Sequence, residues 1–243
     1  MCLRRLRGFR LFAALATLLL VTAGCGGGAG NKSTTTTRAP VDTTVPPPGH
    51  AQLQMIVVQP SDLPAGWKPQ GFTPPANPLA ESTAFSQCVG TPVTAGDAAA
   101  VVFSPDYVMG TDYIASSATS FHTKNDVPAD AAALTSPKAG TCLAQVDHAR
   151  LAAELPAGGT VKSSSVRVTP GTGGGASNVV ATATSTITFT LKGRSLTLTD
   201  DSVFLDAPRI EARIDFFSAV QPLAAATRTA IVNKVADRVA FGS

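Results

Sequence analysis

Apolar positions change their spacing twice along this chain, and the two changes divide it into three regimes. Residues 11–21 form one apolar run with a single threonine, Thr17, inside it. Residues 26–49 carry only Val41 and Val45 as large aliphatic side chains. From about Ala51 to Ser243, short apolar segments alternate with turn residues. The third regime opens with Leu53–Val58, a short helix or strand, followed by Pro60-Ser61-Asp62-Leu63-Pro64-Ala65-Gly66-Trp67, which is turn chemistry ending on an aromatic. Pro74, Pro75 and Pro78 predict coil, and Ala84–Gly90 a short helical turn. Between Tyr113 and Phe121 the side chains alternate, as a half-buried strand requires. Asp126-Val127-Pro128 reads as a helix start with proline in the first turn. A second helix runs from Ser136-Pro137 to about Leu155, with Cys142, Leu143, Val146, Ala149 and Ala153 as its expected buried stripe.

Four strand segments follow: Thr160–Thr169, Asn178–Leu191, Arg194–Leu205 and Arg209–Ser218. Lys192-Gly193 is a tight hairpin turn, because glycine readily takes positive φ. Pro222 opens a last helix that turns Leu223, Ile231, Val235 and Val239 to one side. The whole predicts an α+β domain, a curved antiparallel sheet with helices packed on one face. This order of elements, with the Leu63-Pro64-Ala65-Gly66-Trp67 opening, resembles PsbP-like cell-envelope lipoproteins and sensor domains of actinobacteria. The resemblance covers roughly residues 52–241 and implies binding or sensing more than catalysis.

The first regime is a leader. Arg4, Arg5, Arg7 and Arg10 precede the apolar run, which falls short of the roughly 20 residues that span a bilayer. Leu20-Val21-Thr22-Ala23-Gly24-Cys25 then resembles the bacterial lipobox. That resemblance implies cleavage before Cys25, acylation of its sulfur, and a mature protein held to the outer face of the cell membrane. The bland alternative is an ordinary cleaved signal with a chance cysteine. Residues 1–24 are therefore expected to be a signal peptide, 25–50 a tether and 51–243 one extracytoplasmic domain. In the tether, Gly26-Gly27-Gly28, the threonine runs and Pro46-Pro47-Pro48 cannot bury enough apolar surface to offset ordering, so a solvated spacer is expected. Asn31-Lys32-Ser33 matches a glycosylation sequon that carries little information in a bacterial lipoprotein.

Composition is reinterpreted by this division. The 243 residues carry a formal charge of +3, and removing the leader's four arginines takes it to −1. Lysine and arginine are dispersed through the domain without a stripe, so nucleic acid is not an expected partner. Of four cysteines, Cys2 leaves with the leader and Cys25 takes the lipid. Cys88 and Cys142 remain as an even pair in an exported protein, where disulfides form and persist. Two thiols without a Cys-x-x-Cys spacing do not complete a zinc site.

Chemistry is sparse. His50, His122 and His148 stand apart in the sequence, and no Gly-x-Ser-x-Gly elbow presents a serine. Gly171–Ala176 superficially matches a dinucleotide loop but joins two strands instead of a strand and a helix. Asp200-Asp201, and Glu211 with Asp215, are expected at solvated loop or sheet-edge positions; no cofactor or metal is implied. Two functions remain in view. One is a non-catalytic binding or sensing module for an envelope lipid, glycan or protein, with Trp67, Tyr107 and Tyr113 as groove walls or, equally simply, as core. The other is a lipid or glycolipid carrier with an apolar cavity, and an enzyme comes third.

Overall fold

In the computed structural model, which describes residues 46–171, 179–218 and 222–242, the alternating C-terminal segments form a four-strand antiparallel meander. Its strands are β5 (Thr160–Pro170), β6 (Val179–Leu191), β7 (Arg194–Ala207) and β8 (Ile210–Ser218). Leu191 pairs with Arg194 across the expected turn, and Lys192 and Gly193 both hold positive φ, +50° and +75°. Ala207 pairs with Ile210 across a second tight turn, Pro208-Arg209. Proline sets the first turn position there, and Arg209 takes φ +67°, where glycine or asparagine is usual.

The sheet continues from β8 to β4 (Asp112–Phe121), whose other edge is shared end to end by β2 (Ala98–Phe103) and β3 (Asp106–Met109). A short β1 (Lys68–Gln70) lies outside β3. The order is β1-β3-β4-β8-β7-β6-β5, with β2 also paired to β4. Pro105 has no N–H to continue the ladder and splits β2 from β3. At that break the Ser116 N–H donates to the Ser104 hydroxyl at 2.9 Å, while the Ser104 N–H donates to the Ser116 carbonyl at 2.8 Å.

One face of the sheet is apolar. Ile210, Ala212, Ile214 and Phe216 of β8, Val203 and Leu205 of β7, and Ile114 and Ala118 of β4 are buried there. The helices α1 (His50–Ile56) and α5 (Ala225–Phe241) cover them, supplying Leu53, Ile56, Ile231, Val235 and Val239. Residues 46–49 already run along this domain. The Ser120 hydroxyl donates to the Pro48 carbonyl at 2.7 Å, and the Gly49 N–H donates to Gln52 Oε1 at 2.9 Å as α1 begins at His50.

The fold is the expected mixed α+β arrangement, but its helices divide between both faces. On the second face, α2 (Ala80–Val89), α3 (Asp126–Leu134) and α4 (Ala139–Glu154) pack around Phe85, Val89, Ala133, Ala139 and Cys142. The reason lies in β6, which buries Ala183, Ile187 and Phe189 on that side and so requires a second cover. A Cys88–Cys142 disulfide ties α2 to α4, with Cα atoms 5.6 Å apart. The buried stripe of α4 departs from expectation: Ala149 and Ala153 are exposed, whereas Asp147 is buried. The C-terminal half of α4 meets a charged layer instead of an apolar one.

Candidate functional site

That charged layer follows from strand parity. Every second residue of β8, Glu211, Arg213, Asp215 and Phe217, points away from the apolar core. Register places Arg213 beside Ser117 and Phe204, Asp215 beside Ala115 and Ser202, and Phe217 beside Tyr113 and Asp200. Arg213 is thereby held on three sides. Its Nε donates to Asp215 Oδ1 at 2.6 Å, its Nη2 donates to the Ser202 hydroxyl at 3.1 Å, and its guanidinium lies 5.6 Å over the Phe204 ring. The Ser202 hydroxyl donates in turn to Asp215 Oδ1 at 2.6 Å.

Helix α4 adds a second arginine. The Ser185 hydroxyl donates to Asp147 Oδ2 at 2.7 Å, and Arg150 Nη2 reaches Asp147 Oδ1 at 3.4 Å. Glu81 of α2 bridges the two guanidiniums, 3.6 Å from Arg150 Nε and 3.6 Å from Arg213 Nη1. Exposure rises across this network from Asp200 at 2% to the Glu81 side chain at 45%, so solvent reaches it from the α2 side.

Electrostatics differ from member to member. Burial, reinforced by the neighbouring Asp215 charge, pushes the Asp200 carboxyl well above the usual carboxylate range, and Arg213 and Arg150 only partly restore it. Asp200 Oδ1 meets no hydrogen-bond partner among the described residues. For Arg213, burial works against the charge, but Asp215, Glu81 and Asp200 outweigh it and hold the guanidinium protonated. Farther along β8, burial and the Asp130 charge push Glu211 well up. Burial also raises Asp130, which hydrogen-bonds to Glu211 and accepts from the Thr94 hydroxyl at 2.6 Å.

Aromatic side chains border the same face. Tyr113 and Phe217 meet edge to face at 6.0 Å, and the Tyr113 hydroxyl donates to Asp106 Oδ1. The segment 71–79 passes from β1 at the sheet edge to α2, with Phe72 set against Phe103 of β2 at 5.2 Å. Tyr113, Ala115, Ser117 and Thr119 of β4 and Glu211, Arg213, Asp215 and Phe217 of β8 are all half-buried, an accessible strip beside the helices.

The three aromatic candidates do not share a groove. Tyr107 is 2% exposed in the apolar core, with its hydroxyl 3.4 Å from the Val58 carbonyl. Trp67 packs partly buried against that same core, and its Nε1 meets no acceptor among the described residues. Only Tyr113 reaches the polar strip.

The acidic pairs also need correction, because Asp200 and Asp201 sit inside a central strand and not at its edge. Asp201 points into the first face, where Arg228 Nη1 lies 2.6 Å from its Oδ2. The sequence carried a signal for the polar layer in β8, where Ile, Ala, Ile and Phe alternate with Glu, Arg, Asp and Phe. His122 and His148 are exposed. No cluster of three or more His, Cys, Asp or Glu among the described residues is arranged to hold a metal ion. Cys25, the leader and residues 172–176 of the glycine-rich loop lie outside the described residues.

A carrier needs an enclosed apolar volume. The cavity of about 800 Å³ beside α1 and α5 is instead open to solvent. Among the described residues, no helix is long and apolar enough to cross a membrane.

Fold and site thus define a disulfide-containing α+β domain whose first sheet face is largely apolar and whose second carries an apolar cluster beside a charged layer. No protein-family model matches the chain, and no curated protein matches it. Among solved structures it is similar to the extracellular domain of PknH from Mycobacterium tuberculosis, with a TM-score of 0.40 and 11% identity over 78% of this chain and 97% of that one.

Proposed function

We propose that the chain is a lipid-anchored extracytoplasmic module that binds a polar envelope ligand, a glycan above all, without transforming it. The observation that carries this reading is the strip over β4, β7 and β8, where Arg213, Asp215 and Glu81 stand beside Tyr113 and Phe217. Sugar hydroxyls exchange hydrogen bonds with guanidinium and carboxylate groups, and those involving charged groups are the stronger kind. The C–H face of a sugar ring packs against an aromatic edge or face. The leader and lipobox pattern supports placement outside the cell membrane, as does a disulfide suited to an oxidising compartment.

The test titrates soluble cell-wall glycan fragments into the purified protein by calorimetry. Saturable binding is expected, weakened at least tenfold by Tyr113→Ala and by Glu81→Gln, both with unchanged circular dichroism. Absence of any heat or competition defeats the glycan reading. A lipid that co-purifies at near-stoichiometric level with the Cys25→Ser protein would favour the carrier instead. Cys25→Ser also checks the anchor: it should leave the membrane fraction, and retention there refutes the lipobox.

A further inference from the structure

Between the end of α4 and the middle of β7 the chain changes its electrostatic character. Residues 155–199 hold four cations, Lys162, Arg167, Lys192 and Arg194, and no aspartate or glutamate. All four side chains are exposed, and none has a hydrogen-bond or ion-pair partner among the described residues. Arg150, Arg213, Arg228 and Arg238, by contrast, are each paired with a carboxylate. Register places Arg167 opposite Thr184 on the first sheet face, Lys162 at the register shift in β5 beside Ser163, and Lys192 and Arg194 at the tip of the β6–β7 hairpin.

The sheet surface between these cations is an array of hydroxyls. From Thr184 to Thr190 every second residue of β6 is threonine, and the facing positions of β5 and β7 are serine or threonine except Arg167 and Asp201. The serines and threonines are exposed or half-buried. Asp201 is already neutralised by Arg228 at 2.6 Å and accepts from the Thr184 hydroxyl at 2.7 Å. Blunting of a sheet edge against aggregation accounts for charges on β5, the terminal strand. It does not account for Lys192 and Arg194, which join two interior strands, nor for a single sign at all four positions.

Like charges without counter-charges match a polyanion. Seven residue steps from Thr184 to Leu191, at about 3.4 Å each, set Arg167 and the hairpin tip some 24 Å apart, farther than one small anion reaches. Each exposed cation alone attracts weakly, so the ligand gains by meeting several at once. Two kinds of polyanion fit poorly. Single-stranded nucleic acid calls for aromatic platforms, and the aromatic residues of these strands, Phe189 and Phe204, point to the second face. A bilayer calls for apolar insertion, and the exposed large hydrophobic residues Met55, Val93, Met109 and Phe241 all lie outside β5, β6 and β7. A sugar chain bearing carboxylates suits both parts of the surface. Its anions meet guanidinium and ammonium groups, and its hydroxyls exchange hydrogen bonds with serine and threonine. We infer that the first face of β5, β6 and β7, with the hairpin tip, is a docking surface for an acidic polysaccharide of the envelope. The inference takes the extracytoplasmic placement proposed above and adds a second surface, which has no side chain in common with the strip on the other sheet face.

The test follows the fluorescence anisotropy of a labelled polygalacturonate decamer, titrated with the full exported chain in neutral detergent. Saturable binding at 50 mM NaCl is expected, weakened at least tenfold at 300 mM as charge is screened. Arg167→Glu and Arg194→Glu should each weaken it at least fivefold with unchanged Tm, since neither side chain has a partner to lose. Lys68→Glu, the same charge change at an exposed lysine on β1 at the far end of the sheet order, should alter it less than twofold. Monomeric galacturonate at equal sugar concentration should not compete, and dextran of the same length should not bind. An equal loss in all three charge variants overturns the inference, because net charge and not this surface would then hold the polymer. So does a decamer that fails to bind, a dextran that binds equally well, or tighter binding of single-stranded DNA of the same charge or of phosphatidylglycerol vesicles. Tyr113→Ala distinguishes the two surfaces. It should leave the polygalacturonate affinity intact, which supports the docking surface even if the strip binds nothing. If it abolishes that affinity while Arg167→Glu does not, the acidic sugar sits on the strip, and the second surface is refuted while the glycan reading stands.

Discussion

Asp200→Asn removes a titrating proton from the charged layer while keeping the shape of the side chain. Asp200 lies between Ser185 of β6 and Phe217 of β8, 2% exposed, and its carboxyl is held well above the ordinary range by burial and by Asp215. An unfolded aspartate loses its proton near pH 4, but the folded one keeps it to higher pH. The folded state therefore binds more protons than the unfolded state across that window. Stability from this group is greatest below the unfolded pKa, falls as pH rises toward the folded pKa, and levels off above it. One proton corresponds to about 1.4 kcal/mol per pH unit. In a domain of about 190 residues, 1 kcal/mol moves Tm by about 2–4 °C, so the wild type carries a slope of roughly 3–6 °C per pH unit from this carboxyl alone. Asparagine cannot titrate and should remove that slope. Tm measured by calorimetry between pH 4.5 and 7.5 for wild type, Asp200→Asn and Asp215→Asn checks it, the last because the Asp215 charge helps to raise the Asp200 carboxyl. Identical pH slopes in wild type and Asp200→Asn would refute the assignment of a buried, protonated Asp200.

Three further outcomes are expected. Removing the disulfide with Cys88→Ser and Cys142→Ser opens a loop of 54 residues and should destabilise the domain by about 4 kcal/mol on the chain-entropy model, read by denaturant unfolding with and without reductant. Leu53→Ala, at a fully buried position between α1 and the sheet, should cost about 2–5 kcal/mol in the same assay, and a loss under 1 kcal/mol would contradict the packing described. Lys192→Asn, in the exposed hairpin turn where both residues hold positive φ, should instead stabilise by about 0.5–1 kcal/mol, seen as a raised unfolding midpoint.

The C-terminal meander was readable because its strands are long and largely alternating, with Lys192-Gly193 and Ala207-Pro208 marking its turns. The N-terminal strands were not. Lys68-Pro69-Gln70 contains no large aliphatic or aromatic side chain and is a strand only because β3 offers an edge. Ala98-Ala99-Ala100 lacks the branched residues that favour strands, and Pro105 reads as a break, though β2 and β3 both pair with β4 across it. Tyr107 and Tyr113 looked like companions, but register sets Tyr107 opposite Ile114, which fixes the two tyrosines on opposite faces. Adjacent acids such as Asp200-Asp201 look solvated because burying either alone is costly. Arg213 from β8 and Arg228 from α5, the latter 27 residues downstream of Asp201, make that burial tolerable, and no local pattern shows it.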